Sequence, residues 1–128
     1  MLPITSFYVG GLAFIFLALS FRVIAFRRAN KVSLGDADSK DLRQRTRGQA
    51  NFAEYTPFGL MVLACVELQG APGIAVHVLG AMLFFGRLLH AMAFWVHPMN
   101  FNYRIAGMLL TTGMIALGGL GLVLHFLL

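Results

Sequence analysis

Cysteine and acidic side chains are scarce in this chain of 128 residues. The single cysteine, Cys65, excludes an intramolecular disulfide and a cysteine-based metal cluster, and we interpret it as a small buried hydrophobic residue. Only five residues are acidic, and the four histidines lack the spacing of a metal site. We therefore expect no disulfide and no metal cofactor.

Charge of either sign is also low, at 12% of the residues, whereas 59% are hydrophobic and the mean hydropathy is +0.77. A soluble domain of this size cannot bury so much apolar surface in one core. The composition therefore indicates an integral membrane protein. The sequence has no internal repeat and no basic segment typical of a cleavable signal peptide, so we expect one domain over residues 1–128.

Four apolar segments have the ~20 residues that a helix needs to cross the hydrocarbon of a bilayer. They run from about Leu2 to Phe26, Gln44 to Gln69, Gly73 to Val96 and Ile105 to Leu128. Lipid admits only helices or closed barrels, and no strand-like alternation is present. The sequence predicts an all-α integral membrane four-helix bundle with up-down topology.

Most of the basic residues fall between positions 22 and 47. Because lysine and arginine mark the cytoplasmic side of a membrane protein, we expect the long polar connection over residues 27–45 to be cytoplasmic. Helix alternation then places both termini and the short turn Gly70–Gly73 on the opposite side. We interpret the charge cluster as a topology signal, so we expect membrane lipids and no nucleic acid as partners.

Several polar residues begin the second apolar segment. Arg47, Asn51 and Glu54 are spaced i, i+4 and i+7, so they lie within about 60° on one helix face. Tyr55 adjoins this face, whereas Gln49 points about 160° away from Arg47 and should meet a different neighbour. A lone charge at mid-bilayer costs about 2.5–3.5 kcal/mol, so these side chains should face protein or water.

The third segment carries a second polar face, formed by Arg87, His90 and Phe94 at i, i+3 and i+7. Its cytoplasmic end lies beside the start of the second helix, so the two polar faces should meet. Arg104, at the start of the fourth helix, and Arg27, at the end of the first, are expected at the same level. The predicted site therefore lies in the cytoplasmic half of the bundle.

Arginine greatly outnumbers acid where these helices converge. The internal acid Glu54 faces a set of five arginines, namely Arg27, Arg28, Arg47, Arg87 and Arg104. A purely structural network would balance its charges better. The excess of arginine indicates an anionic ligand whose carboxylates are gripped bidentately, and Glu54 is then available for a ligand ammonium group. A small zwitterionic peptide with surplus negative charge fits this description.

Structural roles are the alternative for each of these residues. Arg27 and Arg28 also fit simple anchors at the lipid headgroups. Arg47 and Glu54 also fit an internal ion pair that holds helices together, and His90 also fits a hydrogen-bonded packing residue. From the residues alone, these readings stay open.

Four short motifs resemble a known family. They are "RGQANFAEYTP" (47–57), "RRANKVS" (27–33), "RLLHAMAF" (87–94) and "NYR" (102–104). The chain resembles the membrane-associated proteins in eicosanoid and glutathione metabolism (MAPEG). The first two motifs are most similar to its leukotriene C4 synthase-like branch, and the last two to its microsomal glutathione transferase branch. In its small size and its lack of additional segments, the chain resembles the bacterial members of the family.

The resemblance implies a homotrimeric membrane enzyme with glutathione as cosubstrate, bound between neighbouring subunits. Glutathione-binding roles carry over to Arg27, Arg47, Gln49, Asn51, Glu54, Tyr55, Arg87 and His90, with Arg27 and Gln49 reaching from the adjacent subunit. Arg104 matches the arginine that stabilises the glutathione thiolate, which then attacks a lipophilic electrophile. Glutathione-dependent peroxidase activity is a further reaction of such a site.

Three positions depart from the family pattern. Phe94 stands where the transferase branch has tyrosine, so one hydroxyl contact to glutathione is absent. The spacing from Arg87 to Arg104 is one residue longer than in the microsomal transferases, and Gly48 replaces a usual alanine.

Two non-enzymatic functions compete with the transferase. One is a lipid-binding membrane scaffold that presents a lipid to a partner protein, and the other is a small transporter or anion channel. A scaffold needs no thiolate stabiliser, and a transporter would more naturally have broken helices at mid-membrane. Arg104, together with the face formed by Arg47, Asn51 and Glu54, therefore favours the enzyme.

Overall fold

A computed structural model describes all residues from 1 to 128, and they form four helices and no strand. The helices are α1 (Pro3–Asn30), α2 (Lys40–Leu68), α3 (Gly73–Trp95) and α4 (Phe101–Leu127). The prediction of an all-α, four-helix protein is confirmed.

Neighbouring helices in the sequence run antiparallel. The start of α1 meets the end of α2, where the Ile4 N–H donates to a Glu67 oxygen at 2.9 Å. The second half of α3 packs against the first half of α4, where Gly107 lies against Gly86 and His90. The helices α2 and α3 pack together at the centre, each contacting both α1 and α4, whereas α1 and α4 do not contact each other. The outer helices therefore lie on opposite sides of the α2–α3 pair.

Three helices, α1, α3 and α4, are long and apolar enough to cross a membrane. The expectation of four apolar spans is thus met by three, because the first half of α2 is polar although its 29 residues are of spanning length. Only 25 of the 128 residues are buried, so most apolar side chains cover the outside of the molecule. Cys65 is among the exposed residues, and its interpretation as a buried residue is wrong.

The connection between α1 and α2 is shorter than residues 27–45, because both helices extend beyond the apolar segments. The helix α1 continues to Asn30 and ends where Lys31 adopts the left-handed conformation. The helix α2 begins at Lys40 rather than near Gln44, since the Ser39 hydroxyl accepts a hydrogen bond from the Leu42 N–H. The connection therefore comprises residues 31–39.

The helix α4 also begins earlier than predicted, at Phe101 rather than near Ile105. The Asn100 side chain accepts a hydrogen bond from the Tyr103 N–H and caps this end. Arg104 therefore lies in the first turn of α4, one helical turn before Gly107. At Gly107 the backbones of α3 and α4 are so close that only a glycine fits between them.

Glu67, which the sequence left without a role, joins the end of α2 to the start of α1. Its two carboxylate oxygens accept hydrogen bonds from the N–H groups of Ile4 and Thr5, at 2.9 and 2.7 Å. These N–H groups belong to the first turn of α1, where no preceding carbonyl can serve them and where a negative charge is stabilising. Glu67 thus serves as an N-terminal cap supplied by another helix.

The other end of the molecule has a matching cap at the last turn of α3. The Arg22 guanidinium donates to the carbonyls of Phe94 and Trp95, at 3.0 and 2.8 Å, and lies over the Trp95 ring. The Gln44 amide donates to the carbonyls of Phe94 and Val96. Side chains of α1 and α2 therefore hold the last carbonyls of α3, which no backbone N–H could reach.

Candidate functional site

A cleft of about 350 Å³ opens between α2, the end of α3 and the start of α4. Its lining is mostly polar and consists of Lys40, Arg43, Gln44, Arg47, Asn51, His90, Phe94, Met99 and Arg104. Arg47 and Asn51 come from the predicted face of α2, His90 from that of α3, and Arg104 from α4. The structure therefore brings four of the predicted site residues together in one chain.

The base of this cleft depends on a close contact between α2 and α3 at Gly48. A Cβ atom at this position would lie 2.8 Å from the Phe94 Cβ, so the missing side chain allows Phe94 to seat against α2. The Phe94 ring stacks on the His90 ring, with 4.8 Å between their centroids. The Arg104 guanidinium lies 5.8 Å from the centre of the Phe94 ring. Phe94 is thus the apolar floor between two polar side chains.

Arg87 lies behind this cleft, since its side chain is fully buried and does not line the cleft wall. Its Nη1 donates to Asn51 Oδ1 at 2.8 Å, its Nε to Thr111 Oγ1 at 3.0 Å and its Nη2 to Met108 Sδ at 3.4 Å. No carboxylate accepts a hydrogen bond from it. The two predicted polar faces therefore meet in a direct contact between Arg87 and Asn51.

Glu54 and Tyr55 face a second groove, next to the cleft, between α2 and α4. This groove has a volume of about 610 Å³, and its remaining lining is Phe58, Thr112, Ile115 and Ala116. Arg47 connects the two spaces, because its Nη1 lies 3.7 Å from Glu54 Oε1. Both side chains of this pair are more than half exposed, so the ion pair is loose and open to a competing ligand.

Arg27 and Gln49 are not in the cleft of their own chain. The Arg27 Nη1 donates to the Gly35 carbonyl at 2.8 Å, on the far side of the α2–α3 pair from α4. Gln49 follows Arg45 by one helical turn, and Arg45 faces α1, with its guanidinium over the Phe26 ring. Both residues that the family resemblance assigns to an adjacent subunit therefore lie outside the cleft of their own chain.

Residues 5–124 match the sequence model of the MAPEG family, and this match spans nearly the whole chain. The chain belongs to the MAPEG family. The inner membrane protein YecN of Escherichia coli K12 is 31% identical to it over 105 residues, which cover 82% of this chain and 79% of YecN. YecN of E. coli O6:H1 matches with the same identity and coverage. No solved structure gives a significant match.

The family assignment agrees with the architecture of the chain. Three helices can cross a membrane, and the relative YecN is an inner membrane protein. These findings support a multi-pass bacterial inner membrane protein of the glutathione and eicosanoid family.

Lys40, Arg43 and Gln44 also line the cleft, although the sequence did not predict them as site residues. Lys40, Arg43, Arg47 and Asn51 follow one another at three- and four-residue intervals, so they share one helix face once α2 begins at Lys40. The signal that could have revealed them is the capping residue Ser39. With these residues, the cleft is lined by four cationic side chains and no carboxylate.

One acidic residue approaches the cleft from the connection between α1 and α2. The Arg43 Nε donates to Asp36 Oδ2 at 2.8 Å, and this hydrogen bond holds the pKa of the Asp36 carboxyl below its ordinary value. Asp36 is therefore an anion at neutral pH, and it occupies the Nε edge of the Arg43 guanidinium, which also lines the cleft. Both side chains are well exposed, so the ion pair is weak, and an anionic ligand that binds Arg43 more tightly can displace Asp36.

Proposed function

We propose that this MAPEG protein is a membrane-bound glutathione transferase, which activates the glutathione thiol for attack on lipophilic electrophiles. The observation that carries the proposal is the cleft lined by Lys40, Arg43, Arg47 and Arg104 without a carboxylate. Glutathione has two carboxylates and one ammonium group. Its carboxylates suit the cationic cleft, and its ammonium group suits Glu54 in the neighbouring groove, where Tyr55 also lies.

Arg104 is the residue proposed to stabilise the glutathione thiolate. A free thiol has a pKa of about 8.5, so it is mostly protonated at neutral pH, whereas the thiolate is the nucleophile. Lowering the thiol pKa by one unit requires about 1.4 kcal/mol of preferential stabilisation of the anion. The Arg104 guanidinium is proposed to supply this stabilisation once bound glutathione excludes water from the cleft, because an exposed charge pair is strongly screened. The thiol proton leaves to water. The thiolate sulfur then forms a bond to the electrophilic carbon, which either releases a leaving group with its electron pair or, in an activated double bond, passes the electron pair to the neighbouring atom that takes up a proton from water.

The complete site is proposed to form in a homotrimer, as the resemblance to the family implies. Arg27 and Gln49 lie on the α1 side of their own chain, away from the cleft. In a trimer they would reach the glutathione held in the cleft of the next subunit. This arrangement gives Gln49 a ligand although its side chain points away from Arg47 and Asn51.

The electrophile is proposed to enter from the membrane along the groove between α2 and α4, which adjoins Arg47 and has the apolar residues Phe58 and Ile115 in its wall. Hydroperoxides could use the same route, with glutathione as the reductant. We further propose a location in the bacterial inner membrane with residues 31–39 on the cytoplasmic side, where the basic residues concentrate, and both termini opposite.

The test is the ultraviolet absorbance of the thiolate on mixing detergent-solubilised protein with glutathione, for wild type and Arg104→Ala. We expect a thiolate signal at neutral pH in wild type and its loss in Arg104→Ala. Lys31→Gln removes a positive charge outside the cleft and serves as the control, which should keep the signal. Glutathione binding without a thiolate signal in wild type would contradict the enzyme and favour the lipid-binding scaffold. A full signal in Arg104→Ala would refute the role of Arg104.

A further inference from the structure

The buried guanidinium of Arg87 restricts how its neighbours can be oriented. Arginine carries five N–H donors and no acceptor, so any side chain that bonds to it must offer an acceptor. The Asn51 side chain can do so only with Oδ1, which lies 2.8 Å from Arg87 Nη1, and the Asn51 backbone carbonyl oxygen lies 3.5 Å from the same nitrogen. The assignment of the Asn51 amide therefore follows from the chemistry of its partner.

The orientation of the Asn51 amide also determines where its Nδ2 atom points. Its Nδ2 makes no hydrogen bond within the chain and is not among the buried polar atoms without a partner, while Asn51 lines the cleft. The NH₂ group is thus the part of Asn51 offered to a ligand. The cationic side chains around it, Lys40, Arg43, Arg47 and Arg104, are also donors only. Donors therefore predominate in the wall of the cleft beside Asn51, although His90 and Gln44 also line the cleft and carry acceptor atoms.

We propose that Arg87 is a positioning residue that sets the hydrogen-bond polarity of the cleft through Asn51. The cleft then binds a carboxylate in preference to the corresponding carboxamide. Both oxygens of a carboxylate accept hydrogen bonds, whereas a carboxamide must place its NH₂ donor against the donors of the cleft. The inference rests on the proposed function and refines it. A carboxylate end of glutathione lies against Asn51, its ammonium group does not, and Arg87 itself makes no contact with glutathione.

A direct contact between Arg87 and a ligand is the competing arrangement. The Arg87 residue has no exposed surface, and three different side chains accept hydrogen bonds from its three nitrogen atoms. A ligand in the cleft would reach it by displacing Asn51, which accepts a hydrogen bond from the guanidinium and lines the cleft. The two arrangements therefore differ in what a change at Asn51 should do.

Asn51→Asp separates stability from binding. One oxygen of the new carboxylate accepts the hydrogen bond from Arg87 and supplies the buried guanidinium with a counter-ion, so the Tm should not fall. The other oxygen faces the cleft, where it meets the ligand carboxylate. We expect the affinity for glutathione to fall about tenfold or more, the scale of one charge-assisted hydrogen bond. The affinity for glutathione diamide, in which both carboxylates are carboxamides, should fall much less.

Arg87→Lys and Arg87→Met test whether the donor at position 87 fixes the orientation of the Asn51 amide. Lysine is also a donor only, so it should preserve part of the preference for glutathione over the diamide, whereas methionine leaves Asn51 free to turn and should abolish it. Thr111→Val removes the acceptor of Arg87 Nε without touching the cleft and should weaken the preference. The matched control is Thr56→Val, because Thr56 is also buried but its hydroxyl has no partner.

The measurement is calorimetric titration of full-length protein in detergent with glutathione and with its diamide, together with the Tm of each variant. Absence of glutathione binding in wild type would overturn the proposed function. Binding in wild type with an unchanged preference in Asn51→Asp would overturn the role of Arg87 alone. A lower Tm or failure to fold in Asn51→Asp would also overturn it, because the aspartate should pair with Arg87.

Discussion

The contact at Gly107 allows a prediction that links packing to the site. A Cβ atom there would lie 2.6 Å from the Gly86 carbonyl oxygen, 2.7 Å from the His90 backbone nitrogen and 2.9 Å from the His90 Cβ. Ordinary contact begins at 3.4 Å, so Gly107→Ala lacks about 0.8 Å of space. Two of these atoms belong to the backbone of α3 and cannot rotate away. The two helices must therefore separate, at a cost of about 1–3 kcal/mol.

The separation should also reach the cleft. His90 lies at the point of contact, and Arg104 is one turn away on α4, so both move relative to α2. We expect Gly107→Ala to lower the Tm by several degrees and to weaken glutathione binding, measured by thermal unfolding and calorimetric titration in detergent. Gly119→Ala is the matched control on the same helix, because nothing lies within 4 Å of its new methyl group. Equal stability of the two variants would refute the reasoning.

Three further predictions concern single contacts. Glu67→Gln should speed amide hydrogen exchange in the first turn of α1 only, because an amide replaces one of the two capping oxygens; unchanged exchange there would contradict the cap. Phe94→Tyr should raise the affinity for glutathione about threefold to tenfold in a calorimetric titration by adding a hydroxyl at the cleft, and no gain would count against it. Asp36→Asn should also tighten glutathione binding, because Arg43 loses the carboxylate that competes with the ligand, and weaker binding would refute this competition.

The sequence was most informative where polar residues interrupt apolar helices. Helical spacing predicted that the polar faces of α2 and α3 meet, and the hydrogen bond between Asn51 and Arg87 confirms this. Spacing gives the direction of a side chain but not its depth. Arg87 and Asn51 therefore looked equivalent in the sequence, although only Asn51 lines the cleft.

Hydropathy was less reliable for the ends of the helices. The first turn of α2 is polar and was assigned to a loop, so Lys40 and Arg43 were separated from the face to which they belong. The start of this helix depends on the Ser39 cap, a local signal that hydropathy does not contain. Glu67 was missed for a different reason, because its partners are N–H groups more than sixty residues away along the chain.

The last turn of α3 gives this protein an optical reporter beside its cleft. Trp95 is the single tryptophan, so all indole emission comes from one position. Its ring lies 4.2 Å from the Arg22 guanidinium, and the preceding residue, Phe94, forms the floor of the cleft. Since a nearby cation influences the excited state of an indole, a shift of α3 relative to α1 changes the emission. We expect a ligand that packs against Phe94 to change this emission, which can be measured in the native chain without a label.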